Sequence, residues 1–186
     1  MTLLGTLSLT QPVMAEMASA GNYTIDPGHT FVTFSVSHLG FSELQGRFNT
    51  VEGSMKYTPN GASSVEVTID AASVDSNHQK RDDHLRGPDF FNAKQFPQIK
   101  FASSKVHYGA SGEPSRVDGN FTLHGVTKAV SLDVTPVGAG SDPWGGYRSG
   151  YNASTKIKRS DYGMNYMPGG IGDEISIKLY IELTKN

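Results

Sequence analysis

The sequence predicts an all-β protein, folded as an eight-stranded antiparallel β-barrel with one short helical excursion. Apolar and polar residues alternate from about Tyr23 onward in eight separate runs, which is the period of a strand with one buried face. Turn residues such as Asn60-Gly61 and His124-Gly125 separate the runs. The sequence offers no second layer of helices, so closure into a barrel buries the apolar face and removes exposed sheet edges.

The first four strands are predicted over 30–39, 46–57, 65–71 and 99–103. In each strand, one face carries apolar residues at every second position and the other is mainly polar. The second strand keeps its alternation only if one residue is bulged near Asn49-Thr50. The inward faces of these strands carry Val32, Phe34, Val36, His38, Phe48, Val67, Ile69, Ile99 and Phe101.

The last four strands are predicted over 117–123, 130–134, 147–159 and 174–184. The third of these is the most polar, and the last alternates most regularly. Their predicted lumen residues are Phe121, Ile177 and Leu179.

One segment departs from the strand pattern. Between Asp75 and Phe96 the period of two is lost, and 77–86 is charged and long enough for about two turns of helix. Gly87-Pro88 then stops the helix, because proline lacks an amide hydrogen and clashes with the preceding turn.

The composition fits one ordinary globular domain over 21–186. The chain of 186 residues is 37% hydrophobic and 18% charged, with a formal net charge of −2. This near balance argues against nucleic acid or an anionic membrane surface as the main partner. The absence of cysteine excludes disulfides, thiolate zinc sites and thiol nucleophiles.

Residues 1–20 are interpreted as an export signal truncated at its N-terminus. Leucines dominate a short apolar stretch, and small residues precede two candidate cleavage points, after Ala15 and after Ala20. The basic region that normally opens such a signal is missing, since the first basic residue is Arg47. The alternative is a disordered cytoplasmic tail.

The predicted lumen allows two states. Eight strands enclose a space that side chains can fill completely or that can hold one ligand. Alternation identifies which residues point inward but not whether they fill the space, so both states remain open from the residues alone.

The histidines and acids give no convincing catalytic or metal site. His78 and His84 are six residues apart and fall on different faces of the predicted helix, unlike the i, i+4 pair of a helical zinc site. No nucleophile elbow, phosphate loop or calcium loop occurs. His38 is interpreted as a core histidine that is also able to donate to a ligand head group. We therefore expect no metal and no cofactor.

Segment 81–96 combines charges with phenylalanines and has two interpretations. In the first, Phe90 and Phe91 close one end of the barrel while the charges pair at its rim. In the second, the segment is a lid over a cavity mouth, with Phe90 and Phe91 on the ligand and Arg81 or Arg86 facing an anionic head group.

Many short motifs in one consistent order give the sequence a family likeness. It resembles the YceI-like family from about Tyr23 to the C-terminus. Ala129 is a departure, since the family often has proline at this turn. The motifs are Tyr23-Thr24-Ile25-Asp26, Val36-Ser37-His38-Leu39-Gly40, Gly46-Arg47-Phe48, Arg81-Asp82-Asp83-His84-Leu85-Arg86, Asp89-Phe90-Phe91, Phe96-Pro97-Gln98-Ile99-Lys100-Phe101 and Asp142-Pro143-Trp144-Gly145-Gly146.

The resemblance implies an extended, lipocalin-like barrel, a periplasmic location and a polyisoprenoid or quinone-like lipid in the lumen. It implies an occupied cavity and no catalytic residue. We therefore expect a carrier or store of isoprenoid lipid that contacts a membrane transiently for loading. The oligomeric state stays open, with a homodimer among the options.

The sequence also allows two alternatives to lipid carriage. A stress-linked interaction module in the periplasm would use the barrel exterior, with Trp144 and Tyr147 as contacts. An enzyme acting on a prenyl head group would need a polar site at the mouth, for which His38, Arg81 and Asp82 are the candidates.

Overall fold

The computed structural model describes residues 17–186, so most of the predicted export signal lies outside the described residues. Within this range the chain is built almost entirely of antiparallel strands. Their bounds are β1 Gly21–Ile25, β2 Phe31–His38, β3 Ser42–Phe48, β4 Val51–Tyr57, β5 Ser64–Asp70, β6 Val74–Asp75, β7 Gln98–Tyr108, β8 Pro114–Leu123, β9 Val126–Ser141, β10 Tyr147–Lys158 and β11 Ile171–Lys185.

Within residues 17–186, helical structure is confined to three short elements. Helix α1 spans Gln79–Arg86, and 3-10 helices span Ala71–Ser73 and Arg159–Tyr162. The α1 helix begins where the His78 side chain accepts a hydrogen bond from the Arg81 amide, which caps the first turn. None of the described helices is long and apolar enough to cross a membrane.

The strands form a closed ring of eight positions. The order is β1-β4-β5-β7-β8-β9-β10-β11, and β11 pairs back onto β1. Strand β2 continues β1 along β11, β3 continues β4, and β6 continues β5. The eight positions are therefore filled by eleven described strands, because three of the long strands are interrupted.

The predicted barrel is confirmed, with local corrections. The break at Asn49-Thr50 separates β3 from β4 where a bulge was predicted. Strand β1 was not predicted. It has only five residues and is followed by the irregular 26–30 stretch, so its alternation is too short to identify a strand. The helix is shorter than predicted, since His78 caps it instead of joining it. Strand β9 has 16 residues and extends well beyond the predicted 130–134.

The two ends of the barrel differ in composition. At the mouth, helix α1, the segment 87–97, the hairpin 39–41 and the loop 163–170 surround the lumen. At the opposite end, which we call the tyrosine end, Tyr23, Tyr57 and Tyr151 are buried. The core between them is an unbroken cluster of apolar side chains from all eight positions of the ring.

Two glycines make room for aromatic rings inside the barrel. A Cβ atom on Gly119 would lie 2.5 Å from the ring of Phe101, and one on Gly46 would overlap the ring of Phe34. Both positions therefore need the smallest residue so that the phenylalanines can lie across the lumen.

A single guanidinium joins three parts of the barrel wall near the irregular 26–30 stretch. Arg148 of β10 donates to Asp26 at 2.6 Å, to Asp142 at 3.0 Å and to Glu182 of β11. The hydrogen bonds from Arg148 and His29 lower the pKa of Asp26 to about 2. This network fixes the interrupted first strand against its neighbours.

Replacing Arg148→Met is expected to destabilise the fold by about 2 kcal/mol at neutral pH, between the values for exposed and buried ion pairs. Folding lowers the pKa of Asp26 from 3.8 to about 2, so its contribution is present above 3.8 and is lost as the pH falls through about 2. Urea titrations at several pH values should show a smaller acid-induced loss of stability in the variant.

The matched control is Arg47→Met, because Arg47 is half exposed and pairs only with Asp75. Its effect should stay within about 0.5 kcal/mol. Equal effects of the two substitutions would contradict the structural role of Arg148.

Candidate functional site

The barrel encloses an apolar cavity next to the mouth. Its unfilled volume is about 140 Å³, roughly ten times the space that one water molecule needs. The side chains do not fill the lumen completely, so of the two states left open by the sequence the structure shows the one with a cavity. Such a space lacks polar partners for water and suits an apolar ligand.

Almost every predicted lining residue contributes to this cavity. The exception is His38, which is half-buried at the end of β2 and lies beyond the lining. It follows the inward alternation of β2, but the cavity ends before the strand does. The predicted residues that line the cavity are Val32, Phe34, Val36, Phe48, Val67, Ile69, Phe90, Phe91, Ile99, Phe101, Phe121, Ile177 and Leu179.

The sequence prediction missed a second group of lining residues. Some of these lie within strands that were already predicted, Val130 and Leu132 in 130–134 and Ile175 and Ile181 in 174–184, but were not assigned to the lumen. Others come from the mouth segments, where no periodicity marks them. The group includes Leu85, Leu123, Val130, Leu132, Ile157, Arg159, Met164, Ile171, Ile175 and Ile181.

Three phenylalanines from separate parts of the chain meet over the cavity. Phe91, from the segment after α1, lies 6.1 Å from Phe34 and 5.3 Å from Phe48 between ring centroids, with both contacts edge-on. Phe34 and Phe48 also contact each other at 5.6 Å. These aromatic contacts place Phe91 at the mouth, an arrangement that both interpretations of segment 81–96 allow.

The two predicted head-group arginines are engaged elsewhere. Arg81 donates to the hydroxyl and carbonyl oxygens of Ser76, at 2.8 and 2.6 Å. Arg86 donates to the carbonyl oxygens of Ala72 and Val74, at 2.7 and 2.9 Å. Neither lines the cavity, so the prediction that they face a head group is corrected: the backbone carbonyls of 72–76 take up their donors.

A different arginine lies at the cavity wall. Arg159, only 5% exposed, donates to the carbonyl oxygens of Met164, Ile171 and Gly172 at 2.7 to 3.0 Å. These bonds hold the loop 163–170 against the start of β11. The sequence did not predict this role, because an arginine at the end of a predicted polar strand is expected to be exposed to solvent.

A second, smaller cavity continues the lumen toward the tyrosine end. Its volume is about 60 Å³, and Tyr57 and Tyr151 lie in its wall. Burial, followed by the nearby Glu113, raises the pKa of Tyr57 to about 12, so this hydroxyl stays protonated at physiological pH. The lining residues shared by the two cavities are Val65, Val67, Phe101, Leu132 and Ile181.

One group of the described residues has the donor types of a metal site. Asp26, His29 and Glu182 bring their ligand atoms within 4.8 Å of one another. The guanidinium of Arg148 already contacts both carboxylates, so it supplies the positive charge that a metal ion would bring. The group is a structural ion-pair network.

Residues 23–183 match the YceI-like domain family. The chain belongs to the YceI-like family. It is 43% identical to a UPF0312 protein from Photorhabdus laumondii over 185 residues, covering 97% of this chain and 95% of that protein. It is 41% identical over 172 residues to a UPF0312 protein from Pseudomonas aeruginosa strain LESB58, covering 90% of this chain and 89% of that protein.

Three solved structures share the barrel fold. BcnA of Burkholderia cenocepacia superimposes with a TM-score of 0.74 at 26% identity, covering 85% of this chain and 98% of that one. The YceI protein of Campylobacter jejuni gives 0.69 at 28% identity, covering 81% and 90%. A polyisoprenoid binding domain from Saccharophagus degradans gives 0.66 at 16% identity, covering 88% and 98%, and shows the common fold.

Proposed function

We propose that this YceI-like protein binds a long isoprenoid lipid, polyprenyl or quinone-like, in its barrel and carries or stores it without covalent chemistry. The observation that carries the proposal is the partly vacant lumen, whose wall is apolar from the mouth to the buried tyrosines. A polyisoprenoid binding domain with the same fold supports the choice of ligand.

Exchange with a membrane follows from the energetics of such a ligand. Burying a methylene group from water is worth about 0.8 kcal/mol, so a chain of roughly forty carbons would nominally exceed the strongest known affinities. An isoprenoid in a bilayer is already out of water, so barrel and bilayer compete nearly evenly. This near balance lets one protein both load and release the lipid.

The residues considered for catalysis do not form one site. His38 lies beyond the lining, and Arg81 is bonded to Ser76. Asp82 is buried and accepts from the amide and hydroxyl of Ser76. This arrangement supports a binding protein over an enzyme acting on a head group.

Substitution of a lining residue tests whether the lipid occupies the lumen. Val36 is buried and lines the cavity, so Val36→Trp should fill the space and weaken isoprenoid binding more than tenfold. Ser35→Trp is the matched control, because the same side chain is added one residue away on the opposite face of β2. Native mass spectrometry after incubation with a twenty-carbon isoprenoid alcohol measures the bound fraction.

Equal binding by both variants would contradict a lumenal site, and an unmodified protein that takes up no isoprenoid would refute the proposal. The same spectra distinguish a monomer from a homodimer.

The alternative function is a stress-linked interaction module whose contacts would be Trp144, which is 82% exposed, and the neighbouring Tyr147. It predicts that Val36→Trp keeps full activity.

We also propose that the mouth contacts the bilayer during loading. Phe41, at the tip of the β2–β3 hairpin, is 89% exposed, and Leu39, Tyr166 and Met167 are exposed beside it. The amide of Leu39 donates to the carbonyl of Gly170 at 2.7 Å, which joins the hairpin to the loop 163–170. Apolar tips beside the entrance to an apolar lumen favour a lipid surface as their partner.

Tryptophan fluorescence gives a site-specific test, because Trp144 is the single tryptophan and lies in the β9–β10 hairpin at the tyrosine end. A variant with Phe41→Trp and Trp144→Phe moves the reporter to the mouth. Vesicles of brominated phosphatidylcholine should quench it, and should leave Trp144 of the unmodified protein unquenched. Equal quenching of the two proteins, or none at position 41, would rule out docking through the mouth.

Export to the periplasm is proposed with cleavage after Ala15. The amide of Ala18 donates to buried Glu113 at 2.9 Å, and Tyr23 donates to the carbonyl of Ser19 at 2.6 Å. Cleavage after Ala20 would remove these partners and leave the buried carboxylate without that donor.

The intact mass of protein purified from the periplasm of its natural producer tests both statements. The expected mature chain begins at Glu16. Retention of residues 2–15 would contradict export, and a chain beginning at Gly21 would contradict the cleavage site.

A further inference from the structure

Tyr151 occupies a position that the proposed function leaves unexplained. It lies in β10, is only 6% exposed, and contributes to the wall of the smaller cavity at the tyrosine end. It also borders a more open pocket at the same end of the barrel, whose lining includes Ala18, Glu113 and Ser149. The side chain therefore separates the deep end of the lumen from solvent.

The Tyr151 hydroxyl is buried and has no hydrogen-bond partner among the described residues. The Ser149 hydroxyl lies near enough to lower the pKa of Tyr151 against the rise from burial, but it does not meet hydrogen-bond geometry. Neighbouring tyrosines differ: Tyr57 donates to Glu113, and Tyr23 donates to Ser19. A buried donor without a partner is costly, and natural proteins rarely keep one without a use.

The surroundings define the chemistry of a partner. Burial raises the pKa of Tyr151, so the group is a neutral O–H donor. The carboxyl group of Glu113 is close enough to contribute to that rise, and a carboxylate there would repel an anionic ligand. The space of about 60 Å³ suits a small terminal group.

We propose that Tyr151 donates a hydrogen bond to a neutral oxygen at the polar end of the isoprenoid, an alcohol or carbonyl oxygen, so that the lipid enters the barrel head first. The inference rests on the proposed function. Because the two cavities share lining residues, the chain extends back from Tyr151 through the larger cavity to the mouth, where its apolar tail ends.

Tyr151→Phe tests the inference, because it removes only the hydroxyl. Fluorescence competition would measure dissociation constants for geranylgeraniol, the matching twenty-carbon hydrocarbon and geranylgeranyl monophosphate. The unmodified protein should prefer the alcohol to the hydrocarbon by about five- to tenfold, the ratio that one neutral hydrogen bond gives. The variant should bind the two equally, and the phosphate should bind the unmodified protein less tightly than the alcohol.

Tyr180→Phe is the matched control, since it removes the same atom from an exposed tyrosine of β11. It should preserve the preference, and circular dichroism should show Tyr151→Phe as stable as the unmodified protein or more so. A variant at 151 that keeps the alcohol preference would overturn the inference and leave isoprenoid binding intact. Failure of the unmodified protein to bind any of the three lipids would instead overturn the proposed function.

Discussion

The structure depends on closure of the sheet by β11. This strand pairs with β10 on one side and with both β1 and β2 on the other, so one continuous strand holds together the two parts of an interrupted neighbour. Closure gives β1, β4, β5 and β7 to β11 a hydrogen-bonded neighbour on each side, whereas among the described strands β6 pairs only with β3. It also sends every second side chain into a space too narrow for a second layer and too wide to be filled completely.

Alternation predicted the ring, and every strand residue that it assigned to the lumen except His38 lines the cavity, because both follow from the period of two. A further group of lining residues was missed. It failed where the chain departs from that period. Helix capping by His78 and the short strand before Asp26 depend on local backbone geometry. The sequence could not predict that the lumen contains an unfilled cavity. The cavity depends on how Phe34 and Phe101 pack against Gly46 and Gly119 in three dimensions.

The arginines also show what sequence patterns cannot predict, namely which polar groups a side chain contacts in the folded protein. Arg81 and Arg86 stand in a charged, aromatic segment that resembled a ligand-binding mouth, yet backbone carbonyls take up their donors. Arg159 was predicted at the end of a polar strand with nothing to distinguish it, yet it opens a 3-10 helix and is buried at the cavity wall. Which carbonyls are left without partners is fixed by the tertiary structure, so residue type and spacing gave no means of distinguishing these cases.

The two sides of the mouth are held to the barrel by different interactions, and in the proposed function this would make the rate of lipid exchange independent of its equilibrium. Arg159 bonds one side to the start of β11, whereas the backbone hydrogen bonds of Phe90, Phe91 and Phe96 stay within the segment 85–96. Arg86 ties the start of that segment to the carbonyl oxygens of Ala72 and Val74, whereas Phe91 meets the ring through aromatic contacts, which break without loss of any ladder bond. For the proposed carrier, the lumen would set how much lipid is held, and the lifetime of these contacts would set how quickly it leaves.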